Sequence, residues 1–347
     1  MAACVDKWQP AAAYPFRLPE KFYFTLPDCT TDRPVATASA APAASGSSGD
    51  YVWDVLRAEA QADADDEPLL RKFYHDLVLS QPSLEAALAS LLAAKLCIPG
   101  ALPQDQLRDL LAGALAAHRE AGRAARADLV AARDRDPACA KMVHCFLYYK
   151  GFLALQAHRA AHGLWSDGRS APALLLQSRA SEVFGVDIHP GARIGCGILL
   201  DHATGVVIGE TAVVGYDVSI LHGVTLGGTG KESGDRHPKV GDGVLIGAGA
   251  SVLGNVHIGD GAKIGAGAVV LRDVPDGTTA VGNPAKPIGK KAAPQRGPEE
   301  LPGVTMEAEM VGLNDLNGVQ RESKMVRTRE FPSKSYFLVD DYFVYVL

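Results

Sequence analysis

The chain has 347 residues, 47% hydrophobic and 21% charged, enough to bury a large core and to hold more than one structural unit. A net charge of −6 leaves no basic footprint for nucleic acid, and no apolar run reaches the length of about 18 residues that a membrane span needs. Nucleic-acid and membrane roles are set aside on those grounds.

The six cysteines (Cys4, Cys29, Cys97, Cys139, Cys145, Cys196) show no C-x-x-C spacing and no secretory leader opens the chain, so they read as reduced thiols. Residues 34–49 are Ala, Pro, Ser and Gly without charge or period, which makes 1–49 a loosely ordered arm closed by a flexible linker. Organelle transit peptides are poor in acids, whereas Asp6, Glu20, Asp28 and Asp32 offset the bases here. The expectation is therefore a cytoplasmic protein, with plastid or mitochondrion as the rival.

Residues 50–184 carry a helical pattern. Leu84, Ala87, Leu88, Leu91 and Leu92 fall on one helical face, with Ser83 placed to cap and Pro99-Gly100 to stop. Further helices are expected over 106–133, 145–163 and 170–184, so this half alone reads as an all-α bundle.

From about residue 185 glycine becomes frequent and an aliphatic position recurs every six residues. The register runs Ile188, Ile194, Leu200, Val206, Ala212, Val218, Val224, breaks, and resumes at Val240, Ile246, Val252, Ile258, Ile264, Val270. This is a hexapeptide repeat: each hexad makes a short strand and a tight corner, three close a triangular coil, and coils stack at about 4.8 Å. The fold class is thus α+β, an α-helical domain (50–184) followed by a left-handed parallel β-helix (185–286), with an irregular tail (287–347). Residues 228–239 break the phase and read as one extruded loop, the place where a rigid scaffold presents varied side chains.

The blocks VDIHPGA (186–192), LDHATGVVIGETA (200–212), VTLGGTGKESGDRHPK (224–239) and RDRDPA (133–138) resemble the signature blocks of serine O-acetyltransferases, within the hexapeptide acyltransferase superfamily. The resemblance covers roughly 51–286 and implies acetyl transfer from acetyl-CoA to L-serine, the first step of cysteine formation from serine. No metal and no resident cofactor is implied, acetyl-CoA being a cosubstrate.

A serine hydroxyl is barely ionised at neutral pH, so transfer needs a base, and a neutral imidazole suits the task. His202, a polar intrusion into the repeat beside Asp201, is the candidate base, and Asp187, fifteen residues earlier, the candidate orienter of its ring. A guanidinium binds a carboxylate in bidentate fashion, which suits Arg236. By resemblance Arg236 and His237 complete the serine pocket, with Asp136 and Asp201 at the amino and hydroxyl end. For CoA the resemblance points to Gly228, Ala248 and Ala266 along the pantetheine, with Lys263, Lys286 and Lys290 as weaker candidates toward the phosphates. An acyl-enzyme route through Cys196 is the mechanistic rival, but nothing in its surroundings lowers a thiol pKa. Another hexapeptide acyltransferase on a sugar or xenobiotic, or a non-catalytic scaffold, are the alternative functions.

The triangular prism predicts a trimer or dimer of trimers with sites between prisms. L-cysteine, a thiol isostere of serine, is the expected feedback inhibitor. Relatives of this kind end in an isoleucine-terminated peptide that binds O-acetylserine sulfhydrylase. Here the chain ends DDYFVYVL, so that partnership is expected to be weak or absent.

Overall fold

Ser83 begins its helix as the spacing predicts, its Oγ accepting the Ala86 N–H at 3.3 Å. A computed structural model describes residues 50–230, 233–288 and 301–306. The first 49 residues and the terminal peptide, with the expectations attached to them, lie outside these. The helical half comprises α1 (Tyr51–Asp66), α2 (Arg71–Tyr74), α3 (Leu84–Leu96), α4 (Gln104–Ala117), α5 (Arg119–Arg135), α6 (Met142–Tyr148), α7 (Lys150–Ser166) and α8 (Ser170–Phe184). Gly185, left-handed at φ 71, ends α8.

Two segments expected as single helices are each broken. The 106–133 stretch divides at His118, non-helical at φ −112 and ψ 77. No proline or glycine adjoins the break, because packing makes it: the His118 ring lies over Gly163 of α7, where an added Cβ would sit 2.5 Å from Cδ2, and Nε2 meets Asp167 at 3.2 Å. The 145–163 stretch breaks at Tyr149, extended at φ −76 and ψ 106, whose hydroxyl bonds Asp136.

The second half winds through three parallel faces. The first holds β1 (Asp187–Ile188), β4 (Val207–Ile208), β7 (Thr225–Gly227), β10 (Ser251–Leu253) and β13 (Val269–Val270). The second holds β2 (Arg193–Ile194), β5 (Val213–Val214), β8 (Lys239–Val240) and β11 (His257–Ile258). The third holds β3 (Leu199–Leu200), β6 (Ser219–Ile220), β9 (Leu245–Ile246), β12 (Lys263–Ile264), β14 (Thr279–Val281) and the antiparallel β15 (Lys286–Ile288).

The coil length corrects the expected register. Val207 pairs with Thr225, the ordinary eighteen residues on, but Asp187 pairs with Val207, twenty residues on, and Thr225 with Ser251, twenty-six on. Two extra residues therefore enlarge the corner after β3, and eight more form the extruded loop after β7. Past Leu200 the inward strand residues are Ile208, Val214, Ile220 and Leu226, not Val206, Ala212, Val218 and Val224. The latter fill corners and are equally buried, which is why the period alone did not expose the slip.

A buried ion pair locks the helices to the first coil. Asp128, 1% exposed, accepts from Arg159 Nη2 at 2.7 Å, Gln156 Nε2 at 2.9 Å and the Ile198 N–H at 2.9 Å. Arg159 also donates to the Gly195 carbonyl at 2.8 Å, so the desolvated charges are satisfied from three segments. Farther along, the start of α7 lies directly on β3, since a Cβ on Gly151 would stand 1.9 Å from the Leu200 carbonyl oxygen. Beyond β15, α9 (Pro302–Thr305) packs into the corner between the second and third faces through Gly303.

Candidate active site

The corner between the third and first faces carries the first cluster. Here the two-residue enlargement places His202 and Ala203 both at positive φ, 54 and 59, closed by Ala203 N–H to Asp201 O at 2.6 Å and Thr204 N–H to His202 O at 2.7 Å. Such backbone is costly for residues with a Cβ and concentrates at functional sites. It throws the His202 side chain outward, 74% exposed, with Nε2 3.7 Å from Asp201 Oδ2. On the next coil His222 meets the His202 ring edge to face at 5.9 Å between centroids.

Asp136 reaches this corner from the turn after α5, where its Oδ1 accepts the Ala138 N–H at 2.8 Å and its carboxylate takes the Tyr149 hydroxyl. Burial raises the Asp201 carboxyl above its ordinary range; His202 opposes the rise and Asp136 adds to it. Two carboxylates and two imidazoles so gathered can hold an ammonium group and accept a proton from a hydroxyl.

The amides at this corner stack coil on coil: Gly223 N–H to Thr204 O, Gly249 N–H to His222 O and Gly267 N–H to Ala248 O, each at 2.8 Å. Ala248 and Ala266 thus lie on the same ridge as His202, one coil and two coils past His222. The ridge is narrow and offers backbone amides, the surface an amide-bearing chain needs.

The second cluster lies at the corner between the first and second faces. Thr211 N–H donates to His237 Nδ1 at 3.1 Å and its hydroxyl meets the same atom at 2.9 Å. A neutral His237 therefore carries its hydrogen on Nε2, directed over Gly209 and Gly228. Burial, reinforced by Arg236, holds the His237 pKa below the ordinary histidine value, so the neutral donor persists. Arg236 Nη1 also overhangs Gly228, at 2.8 Å from where a Cβ would be. Lys239 anchors the loop base, its Nζ donating to Asp235 Oδ1 at 2.6 Å and Thr211 O at 3.1 Å. Against this cluster opens a cleft of about 320 Å³ lined by Trp165, Gly191, Arg193, Glu210, Thr211 and Asp235.

The structure thus brings Asp136, Asp201 and His202 together, and separately Gly228, Arg236 and His237, with the width of the first face between the groups. Asp187 begins that face on β1, its Oδ1 accepting from Gln177 Nε2 at 2.7 Å. Lys263 is 4% exposed on β12 and Lys286 is exposed on β15, while Lys290 lies outside the described residues. Cys196 belongs to the remaining corner, between the second and third faces, with neither cluster. His222, Tyr149 and Thr211 are the site neighbours that the sequence reading passed over. For His222 the signal was there, since later coils fill its ridge position with Ala248 and Ala266.

Comparison with known proteins bears on both halves. The serine acetyltransferase N-terminal family model matches residues 52–157, and the bacterial transferase hexapeptide model, of six repeats, matches 237–272. "Probable serine acetyltransferase 4" of Oryza sativa subsp. japonica is 94% identical over 311 residues, 88% of this chain and 98% of that one. "Serine acetyltransferase 3, mitochondrial" of Arabidopsis thaliana is 58% identical over 258 residues, 74% of this chain and 66% of that one.

Among solved structures, soybean serine acetyltransferase complexed with serine is 60% identical with a TM-score of 0.67, over 69% of this chain and 98% of that one. The Brucella abortus enzyme in complex with coenzyme A is 50% identical with a TM-score of 0.68, over 70% and 97%. A serine acetyltransferase complex with cysteine is 47% identical with a TM-score of 0.71, over 74% and 97%.

Proposed function

The chain belongs to the serine acetyltransferase family, an acyltransferase of L-serine and acetyl-CoA, and we propose that its two corner clusters are complementary halves of one active site. The observation that carries this reading is the pairing of an outward His202, flanked by Asp201 and Asp136, with an Arg236–His237 donor pair on the other edge of the same face. Serine binds with its carboxylate on Arg236 and His237 and its ammonium and hydroxyl end toward Asp136 and Asp201. His202 takes the hydroxyl proton, Oγ attacks the thioester carbonyl, the C–S bond breaks, and the departing CoA sulfur receives the proton from the imidazolium. Asp187, held from α8 by Gln177, is assigned the orienting role. Transfer is direct, in keeping with Cys196 on a different corner.

Acetyl-CoA lies along the ridge of Ala248 and Ala266 with Gly228 at its reactive end; Lys263, only 4% exposed on β12, is enclosed by its own chain and is withdrawn from the phosphate end. The product, an activated serine, suits replacement of its acetoxy group by sulfide and so cysteine formation. L-cysteine, matching serine in all but the sulfur, competes for the same contacts. The halves close between neighbouring prisms of a trimer or dimer of trimers.

We read the compartment from the composition of the first 49 residues. Their acids favour the cytoplasm, while the Arabidopsis relative carries a mitochondrial name, and imaging a fusion of residues 1–49 to a fluorescent protein decides. The function itself is tested by acetyl-CoA-dependent thiol release with L-serine set against D-serine, threonine and sugars, in the wild type and in His202→Ala. Selective L-serine turnover that falls by about 10²–10⁴-fold in His202→Ala is expected; unchanged turnover in an assembled variant overturns the base assignment.

A further inference from the structure

His202 is thrown outward by backbone that its own side chain does nothing to hold. The ring is exposed, with Asp201 at 3.7 Å and His222 edge to face at 5.9 Å between centroids, while two successive residues sit at positive φ beneath it. Neither is glycine, so the corner departs from its tandem three-residue turns unless something fixes its far side.

What fixes it comes from the helical half. Ala203 is fully buried, its methyl 3.4 Å from where a Gly151 Cβ would be, and the start of α7 lies on the Leu200 carbonyl. Lys150, the first residue of α7, donates from Nζ to the Thr204 hydroxyl. Thr204 in turn donates its N–H to the His202 carbonyl at 2.7 Å and accepts the Gly223 N–H at 2.8 Å. One side-chain bond therefore ties a rigid helix start to the residue that closes the second turn.

Resting on the reading of His202 as general base, we propose that Lys150 and Thr204 are positioning residues for His202, fixing the enlarged corner from α7. Neither needs to touch substrate for this role. A displaced base costs turnover steeply, on the order of a hundredfold per ångström-scale error, whereas ground-state binding of serine depends on other groups.

The test compares the full-length purified Thr204→Val, Thr204→Ser, Lys150→Met and Lys150→Arg proteins, the double variant Lys150→Met with Thr204→Val, and His202→Ala. Thr204→Val keeps the shape and loses the hydroxyl, so kcat should drop about tenfold to a hundredfold with both KM values within about twofold. Thr204→Ser and Lys150→Arg should restore most of the loss, and the double variant should be no worse than its worse parent, because both changes break one bond. Wild-type kcat in Thr204→Val, additive losses in the double variant, or a rise in the acetyl-CoA KM alone for Lys150→Met overturns the proposal, the last by making Lys150 a ligand of CoA. Circular dichroism and oligomer mass separate misfolding from mispositioning, and if Thr204→Val misfolds, the Lys150 pair of variants carries the decision. His202→Ala tells the two failures apart: full turnover there removes the base itself, whereas lost turnover there with wild-type kcat in Thr204→Val removes the positioning role alone.

Discussion

Gly209 shows at one residue how the second cluster depends on close approach. An added Cβ there would lie 2.0 Å from His237 Cδ2 and 2.1 Å from Nε2, inside any permitted contact. The imidazole is 4% exposed and its Nδ1 is already held by Thr211, so it has nowhere to retreat. Gly209→Ala is therefore expected to expel the ring and raise the serine KM by about tenfold to a hundredfold, with the acetyl-CoA KM little changed. Steady-state kinetics with each substrate varied in turn checks this; equal loss for both substrates would point to general collapse of the corner. Asp201 and His202 stood out because two polar residues interrupt an aliphatic and glycine repeat, whereas Arg236 and His237 were picked out by the resemblance of their loop block to the family's signature. Tyr149 and Thr211 were not, since a tyrosine between helices or a threonine at a corner looks ordinary until the fold places it against Asp136 or His237.

At the scale of elements, the contact of α7 with β3 joins scaffold to site. Gly151→Ala would drive a methyl group into the Leu200 carbonyl, lifting α7 from the strand that leads into the His202 corner. Overpacking of this kind costs about 1–3 kcal/mol, and the variant should melt several degrees lower and turn over more slowly. Calorimetry together with kcat checks it, and a stable, fully active Gly151→Ala would show that the junction yields freely.

The same helix carries a titration. His158 on α7 is buried, with Nδ1 unpaired among the described residues and its ring bonded to the Ala192 backbone, and burial holds its pKa well below the ordinary value. The folded ring stays neutral while the unfolded chain takes up a proton below about pH 6.5, so stability falls as pH drops through that value. His158→Gln keeps an N–H donor without titrating and should show a flatter melting temperature between pH 7 and pH 5; an unchanged slope would assign the acid sensitivity elsewhere. The repeat was legible here and its slip was not, because Val206 and Ile208 are both aliphatic and both buried, one at a corner and one on a strand. Hydrophobicity cannot tell those two positions apart, whereas strand pairing can.

For the whole molecule, the decisive fact is that one face of the prism separates His202 from His237, so a single chain holds both halves of the proposed site without closing it. In the proposed trimer, three prisms packed around a common threefold axis would let the His202 corner of one subunit meet the loop corner of the next, giving three equivalent sites. This arrangement makes a prediction that a site within one subunit does not share. Assayed at serine concentrations far below KM, His202→Ala and His237→Ala should each be nearly inactive as homo-oligomers, the first through lost turnover and the second through weakened serine binding. When the two are co-expressed at equal levels and assemble at random, a site is intact where an unaltered His202 from one subunit faces an unaltered His237 from its neighbour. That happens with probability one half times one half, so about a quarter of wild-type activity should return. Activity that stays at the level of the separate variants, in particles shown by differential tags to contain both chains, would place the whole site within one subunit.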